Sequence, residues 1–251
     1  IALLVANVDV IIADWIWVAL QRVEGRDLAF WPYSTSHGAL MVPKDSAIRS
    51  VSDLKGRRIG IAGGGLDKNW LLLQLVAKKK FAIDLDHSVQ KTFGAPPLLN
   101  QQFMQGNLDA VLNYWHYAAK LEAQGYRSLL DGRSMVRSLD IDAALPNIGY
   151  VFHAAWAKQH PALLKTFVET ADRARARLCD NDAAWQQLAP LTQETDAKVQ
   201  ALLRQRYCEG RVVQWGNAER DAAAKIFAML PQVAGETFTG KARELPSGVF
   251  W

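Results

Sequence analysis

"RRIGIAGGGLDKNWLLLQ", residues 57–74, is a short apolar strand run that meets three glycines and passes into an amphipathic helix. A strand, a glycine loop and a helix start together suit an anion, because the first N–H groups of a helix have no partner within it. The nucleotide versions of this device fail here. The pattern G-x-G-x-x-G finds Gly63 and Gly65 but meets Lys68 where the third glycine belongs. The phosphate loop G-x-x-x-x-G-K-[ST] finds Gly60 and Gly65, then Leu66 and Asp67 in place of Lys and Ser or Thr. What remains is a tight turn that needs positive φ, with Asp67 or Lys68 opening the helix. Taken alone, the stretch reads as a turn before it reads as a site.

The 251 residues are half hydrophobic, enough for one large core or two small ones. The net charge is +4, yet Lys and Arg are scattered, apart from "KKK" at 78–80, where cations suit a helix C-terminus. No basic stripe with interleaved aromatics is present, so no nucleic-acid partner is expected. The longest apolar stretch, "IALLVANVDVIIADWIWVAL", is broken by Asn7, Asp9 and Asp14 and falls short of a membrane span. The chain opens without an initiator Met or a charged leader and reads like the middle of a domain. Residues are therefore expected before Ile1, and no signal peptide lies in the chain itself. The two cysteines, Cys179 and Cys208, lie near predicted helix ends. They read equally as a disulfide or as two buried thiols, and they have no metal-site spacing.

Along the chain, "VDVIIAD" (8–14) predicts a buried strand and "WIWVALQRV" a short helix ended by Gly25. "LAFWPYSTSHGALMVPKD" predicts two extended runs, the first stopping near Pro32. "SVSDLKG" is a turn-helix capped by Ser50 or Ser52. Strand "RRIGIA" is followed by a helix with Trp70, Leu73, Gln74 and Ala77 along one stripe. "SVQKTFG" and "LDAVLNYW" are further strands, each followed by a helix, "APPLLNQQFMQG" with proline in its first turn and "HYAAKLEAQG" ending at Gly125. This alternation is that of a parallel sheet flanked by helices. From about 161 to 229 the chain is nearly all helical, and the tail after it reads as irregular.

The order "VANVDVIIADW", "GALMVPKDSAIRSVSDLKGRRIGIAGGG", "FMQGNLDAVLNYWHYAAKLEAQGYRSLLDG" and "YVFHAAWAKQHPALLKTFVE" resembles periplasmic substrate-binding proteins of ABC importers. The nearest group takes up nitrate, sulfonates, taurine and thiamine-pyrimidine precursors. The resemblance covers nearly the whole chain, and "VPKDSAIRSVSDLKGRRIGI" is its most specific phrase. It implies the type II periplasmic-binding fold, an α/β architecture of two lobes, each a mostly parallel sheet flanked by helices, with a helical C-terminal part. Lobe one would be 1–36 with 150–251, apparently lacking its first strand-helix-strand unit. Lobe two would be 37–149, with crossovers near 33–40 and 147–152. It further implies a periplasmic location, a small-molecule ligand, an inner-membrane ABC permease as partner, a monomer, no cofactor and no catalysis. A pyrimidine-precursor synthase of the same fold is the enzyme alternative, but it would need a suicidal histidine and an iron-binding cysteine cluster. A ligand-sensing domain of a signalling protein is the other.

In open α/β sheets ligands lie beyond the carboxyl ends of the strands. The residues there supply the candidate ligand-binding set: Asp14, Trp15, Ser36, His37, Gly64, Gly65, Leu66, Asp67, Pro96, Asn113, Tyr114 and Trp115. Each has a plainer reading. Asp14 and Asp67 suit helix caps. Trp15 and Trp17, two apart on a helix, face different ways, and Trp15 is placed in the cleft. Trp115 is read as closing a strand, His116 as helix surface, and Lys68 as a lysine pointing into water. No G-x-S-x-G, H-E-x-x-H or Cys–His pairing is present, and adjacent Ser36 and His37 diverge along a strand. Two carboxylates near the site disfavour a bare anion, and the aromatics favour an organic body to stack on. The expected ligand is a small organic molecule with a ring or an amine.

Overall fold

The computed structural model describes residues 2–235, 238–240 and 242–251. Its strands are β1 (Val10–Ala13), β2 (Leu28–Ser34), β3 (Ala39–Val42), β4 (Arg58–Ala62), β5 (Gln90–Gly94), β6 (Ala110–Asn113), β7 (Arg127–Asp131) and β8 (Ile148–His153). They form a smaller sheet of order β1-β8-β2 and a larger one of order β5-β4-β6-β3-β7. In the larger sheet β4 is parallel to β5 and β6, whereas β3 is antiparallel to β6 and β7. Only β3, the strand that arrives from the smaller sheet, opposes the rest.

The smaller sheet is not parallel as expected, because β8 runs antiparallel to both β1 and β2. A parallel neighbour requires a crossover laid over its own sheet. Here β8 returns from the other sheet and enters between β1 and β2. The predicted stop at Pro32 is also overrun. β2 continues to Ser34, with a shift of register between Pro32 and Ser34. It lies at the end of its sheet, where a missing N–H is tolerated.

Each strand of common direction in the larger sheet runs into a helix: β4 into α2 (Lys68–Phe81, after α1 at Trp15–Val23), then a short α3 (Leu85–Ser88), β5 into α4 (Pro96–Met104), β6 into α5 (Trp115–Ala123) and β7 into α6 (Gly132–Ser138). Trp115 therefore opens a helix instead of ending a strand. The predicted stripe on α2 is buried, and so is the whole run Asn69–Ala77. The sheet covers one side, while α6 and α13 (Pro231–Ala234) pack on the others. Burying side chains the size of Trp70 or Leu73 contributes roughly 1.5–3 kcal/mol each.

The helical part holds α7 (Ala154–Gln159), α8 (Pro161–Asp180), α9 (Asp182–Gln186), α10 (Ala189–Thr192), α11 (Ala197–Glu209) and α12 (Asn217–Met229). Cys179 and Cys208 form a disulfide that ties α8 to α11. Arg204 of α11 adds hydrogen bonds to the carbonyls of Leu178 and Cys179. α11 also lies against α5, where Leu203 and Val199 pack with Ala119 and Ala123. The chain passes from the smaller sheet to the larger through residues 35–38 and returns before Ile148. Among the described residues no helix is long and apolar enough to cross a membrane.

Candidate functional site

Two aspartates that follow strands divide their carboxylates in the same way. Asp14 caps α1, its Oδ1 accepting from the Trp17 N–H at 2.8 Å. Its Oδ2 lies 3.9 Å from Lys68 Nζ. Asp67 caps α2, its Oδ1 accepting from Asn69 N and Nδ2 at 2.9 and 3.1 Å. Its Oδ2 flanks Gly63 together with the Tyr114 hydroxyl: a Cβ on Gly63 would lie 3.1 Å from the first and 3.0 Å from the second. Gly63 has φ +85°, so conformation and space both require glycine there. Each acid thus satisfies a helix with one oxygen and turns the other into the junction between the sheets.

Lys68 sits between them. Its side chain is 14% exposed, so it does not reach into water as its sequence context suggested. Nζ donates to the Asn147 carbonyl at 2.9 Å. Burial pulls its pKa down, against the pull of Asp14 and Asp67. Burial likewise raises Asp67, and burial with the Asp67 charge pushes Tyr114 up to about 12. Asn147 carries the connection onward, donating from Nδ2 to the Ser36 carbonyl and from its backbone N–H to the Ser34 carbonyl, both at 2.6 Å.

Beyond Ser36 opens a cavity of about 430 Å³. α5 presents Trp115, Ala118, Ala119 and Glu122 to it, the spacing of one helix face. α11 closes the opposite wall with Arg206, which is fully engaged: it donates to Glu122 at 2.6 Å and to Glu209 at 2.8 Å. α6 contributes Arg133 and Arg137, and neither makes a salt bridge among the described residues. His37 lies on the wall nearest the polar junction. Its Nε2 is 3.2 Å from the Leu145 carbonyl, and burial, then the charge of Lys68, depress its pKa to about 4.

The candidate residues from sequence fall into three groups. Asp14 and Asp67 flank Lys68, with Tyr114 beside Asp67, and Ser36, His37 and Trp115 line the cavity. Gly64, Gly65 and Leu66 form the open loop before α2, with nothing within 4 Å of a Cβ at Gly64 and Leu66 62% exposed. Two residues are misplaced. Trp15 is a core residue, 3% exposed and 6.1 Å from Phe250 in centroid distance, because as the first residue of α1 it turns inward while Asp14 keeps the junction. Asn113 is buried and binds the loop together, its Nδ2 donating to Pro96 O and Asn100 Oδ1 and its Oδ1 accepting from Tyr114 N. Pro96, accordingly, offers its carbonyl to Asn113. His116, read as helix surface, is half-buried on α5, and burial lowers its pKa. Sequence reading missed Arg133 and Arg137. Their signal was a strand, Asp131-Gly132 and then two arginines four apart on the next helix.

The pattern of the family described as NMT1/THI5 like matches residues 7–183. That is more than half of the chain, and the protein belongs to this family. A protein of Escherichia coli (strain K12) named for the binding of aliphatic sulfonates is 31% identical over 140 residues, 53% of this chain and 42% of that protein's length. The periplasmic aliphatic sulphonate binding protein SsuA from Escherichia coli superposes with a TM-score of 0.77 at 21% identity, over all of this chain and 82% of that one. The alkanesulfonate-binding protein SsuA from Xanthomonas axonopodis pv. citri, bound to MOPS, gives 0.72 at 20%, with the same coverage. These two structures establish the shared fold. A more distant match of the same architecture, at 0.56 and 16%, over 92% of this chain and 82% of that one, is the desulfurization enzyme DSZB.

Proposed function

We propose that the chain is the solute-binding component of an ABC uptake transporter, held in the periplasm, and that it delivers a small organic anion to the membrane permease. In this reading residues up to 36 with those from about 148 form one lobe, the residues between form the other, and the ligand lies between them. The observation that carries it is a cavity of about 430 Å³ lying between the two, walled by α5 and α6 on one side and α11 on the other, with the first crossover at its back. Ligand pockets of small molecules begin at about this size.

The charges favour an anion more than the sequence did. Asp14 and Asp67, which argued against one, have Lys68 between them, and of the cavity's charges, Arg133, Arg137 and Arg206 with Glu122, Asp131 and Glu209, Arg133 and Arg137 are held in no salt bridge among the described residues. The Cys179–Cys208 disulfide accords with an oxidising compartment. The synthase alternative loses its basis, since both cysteines of the chain are taken up by that disulfide.

The test is a thermal-shift screen over nitrate, aliphatic sulfonates, amines and pyrimidines, followed by calorimetry. A ligand that binds only the folded state raises the melting temperature by mass action. We expect organic sulfonates to do so. A screen in which no small solute shifts the transition at millimolar concentration counts against solute binding altogether.

A further inference from the structure

At the end of α2 away from Lys68, a second cavity of about 420 Å³ opens between α2, α3 and α13. It shares no residue with the cavity described above. Its floor is apolar: Leu85 is buried, and Ile83 and Val233 pack half-buried against the core. One polar side chain is built into that floor. Gln74 belongs to the buried run of α2 beside Leu73 and Leu75, and it is 5% exposed. Its amide makes no hydrogen bond to any described residue. The polar atoms that are both sealed and unpaired lie elsewhere, Trp70 Nε1 and Arg127 Nε among them. The Gln74 amide is thus unpaired but open, and the surface it opens on is this cavity. A carboxamide placed in an apolar stripe is costly unless something pairs with it.

The charged groups around the cavity say what that something is not. Lys78, one turn after Gln74 on the same helix face, donates from Nζ to the Gln232 carbonyl at 3.0 Å. Asp84 Oδ2 accepts from His87 Nδ1 at 3.0 Å. Asp86 is paired with Lys91 at 2.6 Å. Every one of these charges has its partner, so a charged guest would have to break a pair or enter without compensation. The group left to be satisfied is neutral. It offers one acceptor oxygen and an N–H donor side by side in one plane. The complement is a second group of the same kind, an N–H beside a C=O, and the match holds whichever way the Gln74 amide is turned.

We propose that this cavity is a second ligand site, and that it takes a neutral carboxamide or lactam whose polar edge pairs with Gln74 through two hydrogen bonds and whose apolar body rests on Ile83, Leu85 and Val233. The site is separate from the cavity between the proposed lobes and does not depend on the solute-binding reading. Its volume lies within the range of small-molecule pockets.

A chemical-shift titration by NMR on the full chain at pH 7 tests it with three probes that share one ring: benzamide, benzoate and benzylamine. They are neutral, anionic and cationic. Benzamide is expected to bind about tenfold more tightly than either charged probe, as two modest hydrogen bonds would give. The side-chain N–H pair of Gln74, identified by its loss in Gln74→Met, should move with benzamide, while the indole N–H of Trp115 in the other cavity stays in place. Gln74→Met keeps the volume and removes only the amide. Its melting temperature should be unchanged or raised, and benzamide should bind it about tenfold more weakly. Failure of benzamide to bind overturns the proposal, as does equal binding of the three probes. So does a titration that moves Trp115 and leaves Gln74 still, or an affinity untouched by Gln74→Met. The probe comparison and the shift of Trp115 use the wild type alone, so they decide the matter whatever the stability of the variant.

Discussion

Gly132 and His37 occupy what is in effect one site: a Cβ added to Gly132 would lie 2.1 Å from His37 Cβ and 2.7 Å from its Cγ. Neither atom is the free end of a flexible chain. Gly132→Ala must therefore displace the first crossover or the start of α6. Overpacking of this kind costs about 1–3 kcal/mol. Urea denaturation should show that loss, together with a larger fall in ligand affinity than a distant overpacked site produces. A variant of wild-type stability would mean that the crossover yields freely.

The three glycines before α2 are expected to separate. Gly63→Ala faces positive φ and two oxygens near 3 Å, so it should destabilise by about 1–3 kcal/mol. Gly64→Ala meets nothing within 4 Å and should leave stability within about 0.5 kcal/mol of wild type. If the ligand passes over this loop, Gly64→Ala lowers affinity all the same. Thermal melts and calorimetry on the two variants decide both points.

Trp115 lines the cavity and packs beside Tyr207, with ring centroids 6.5 Å apart. Trp115→Ala should lower affinity about ten- to a hundredfold, the value of a lost aromatic wall. A core tryptophan would instead cost roughly 3–5 kcal/mol of stability. Melting temperature against affinity separates the two roles.

His37 makes stability pH-dependent in a definite direction. Its pKa is about 4 in the fold, against 6.5 for the free side chain. Above pH 6.5 the ring is neutral in both states, and its full contribution is present. As pH falls from 6.5 to 4, the unfolded chain takes up a proton that the fold excludes, and stability is lost. The loss amounts to about 3 kcal/mol at most, and it ends below pH 4, where both states are protonated. Between pH 7.5 and 4.5, His37→Gln should lose less stability than wild type. Parallel curves for the two proteins would remove His37 from the acid limb.

The disulfide closes a separation of 29 residues. Chain entropy assigns such a loop about 3–4 kcal/mol. Cys179→Ser with Cys208→Ser should lower the melting temperature accordingly. It should also weaken ligand binding, because α11 supplies the far wall of the cavity. Small-angle scattering supplies a complementary check: saturating ligand should reduce the radius of gyration of the wild type, and the reduction should be smaller in the double variant.

Much of the larger sheet could be read from sequence because each strand there is a short apolar run beside a helix with local signals. Asp67 caps α2, Pro96 opens α4 and Gly125 follows α5, and such cues act over a few residues. The antiparallel order of the smaller sheet had no such cue. It depends on β8, over a hundred residues away from β2, and on which side it enters. The same division holds at the site. Asp14, Asp67, His37 and Trp115 lie next to strand ends, so position alone was enough to name them as candidates. Trp15 was misplaced because inward and outward faces of α1 are decided by Phe250, at the far end of the chain. Lys68 was misread because its partners, Asn147 and Asp14, are contributed by distant segments.

The two crossovers are fastened to each other at several points: Asn147 N–H to Ser34 O, Asn147 Nδ2 to Ser36 O, and His37 Nε2 to Leu145 O. In mechanical terms they are two leaves pinned along one line. Such a joint swings about its pin and resists twist and slide. Any relative motion of the two proposed lobes would then be confined from six rigid-body coordinates toward a single angle.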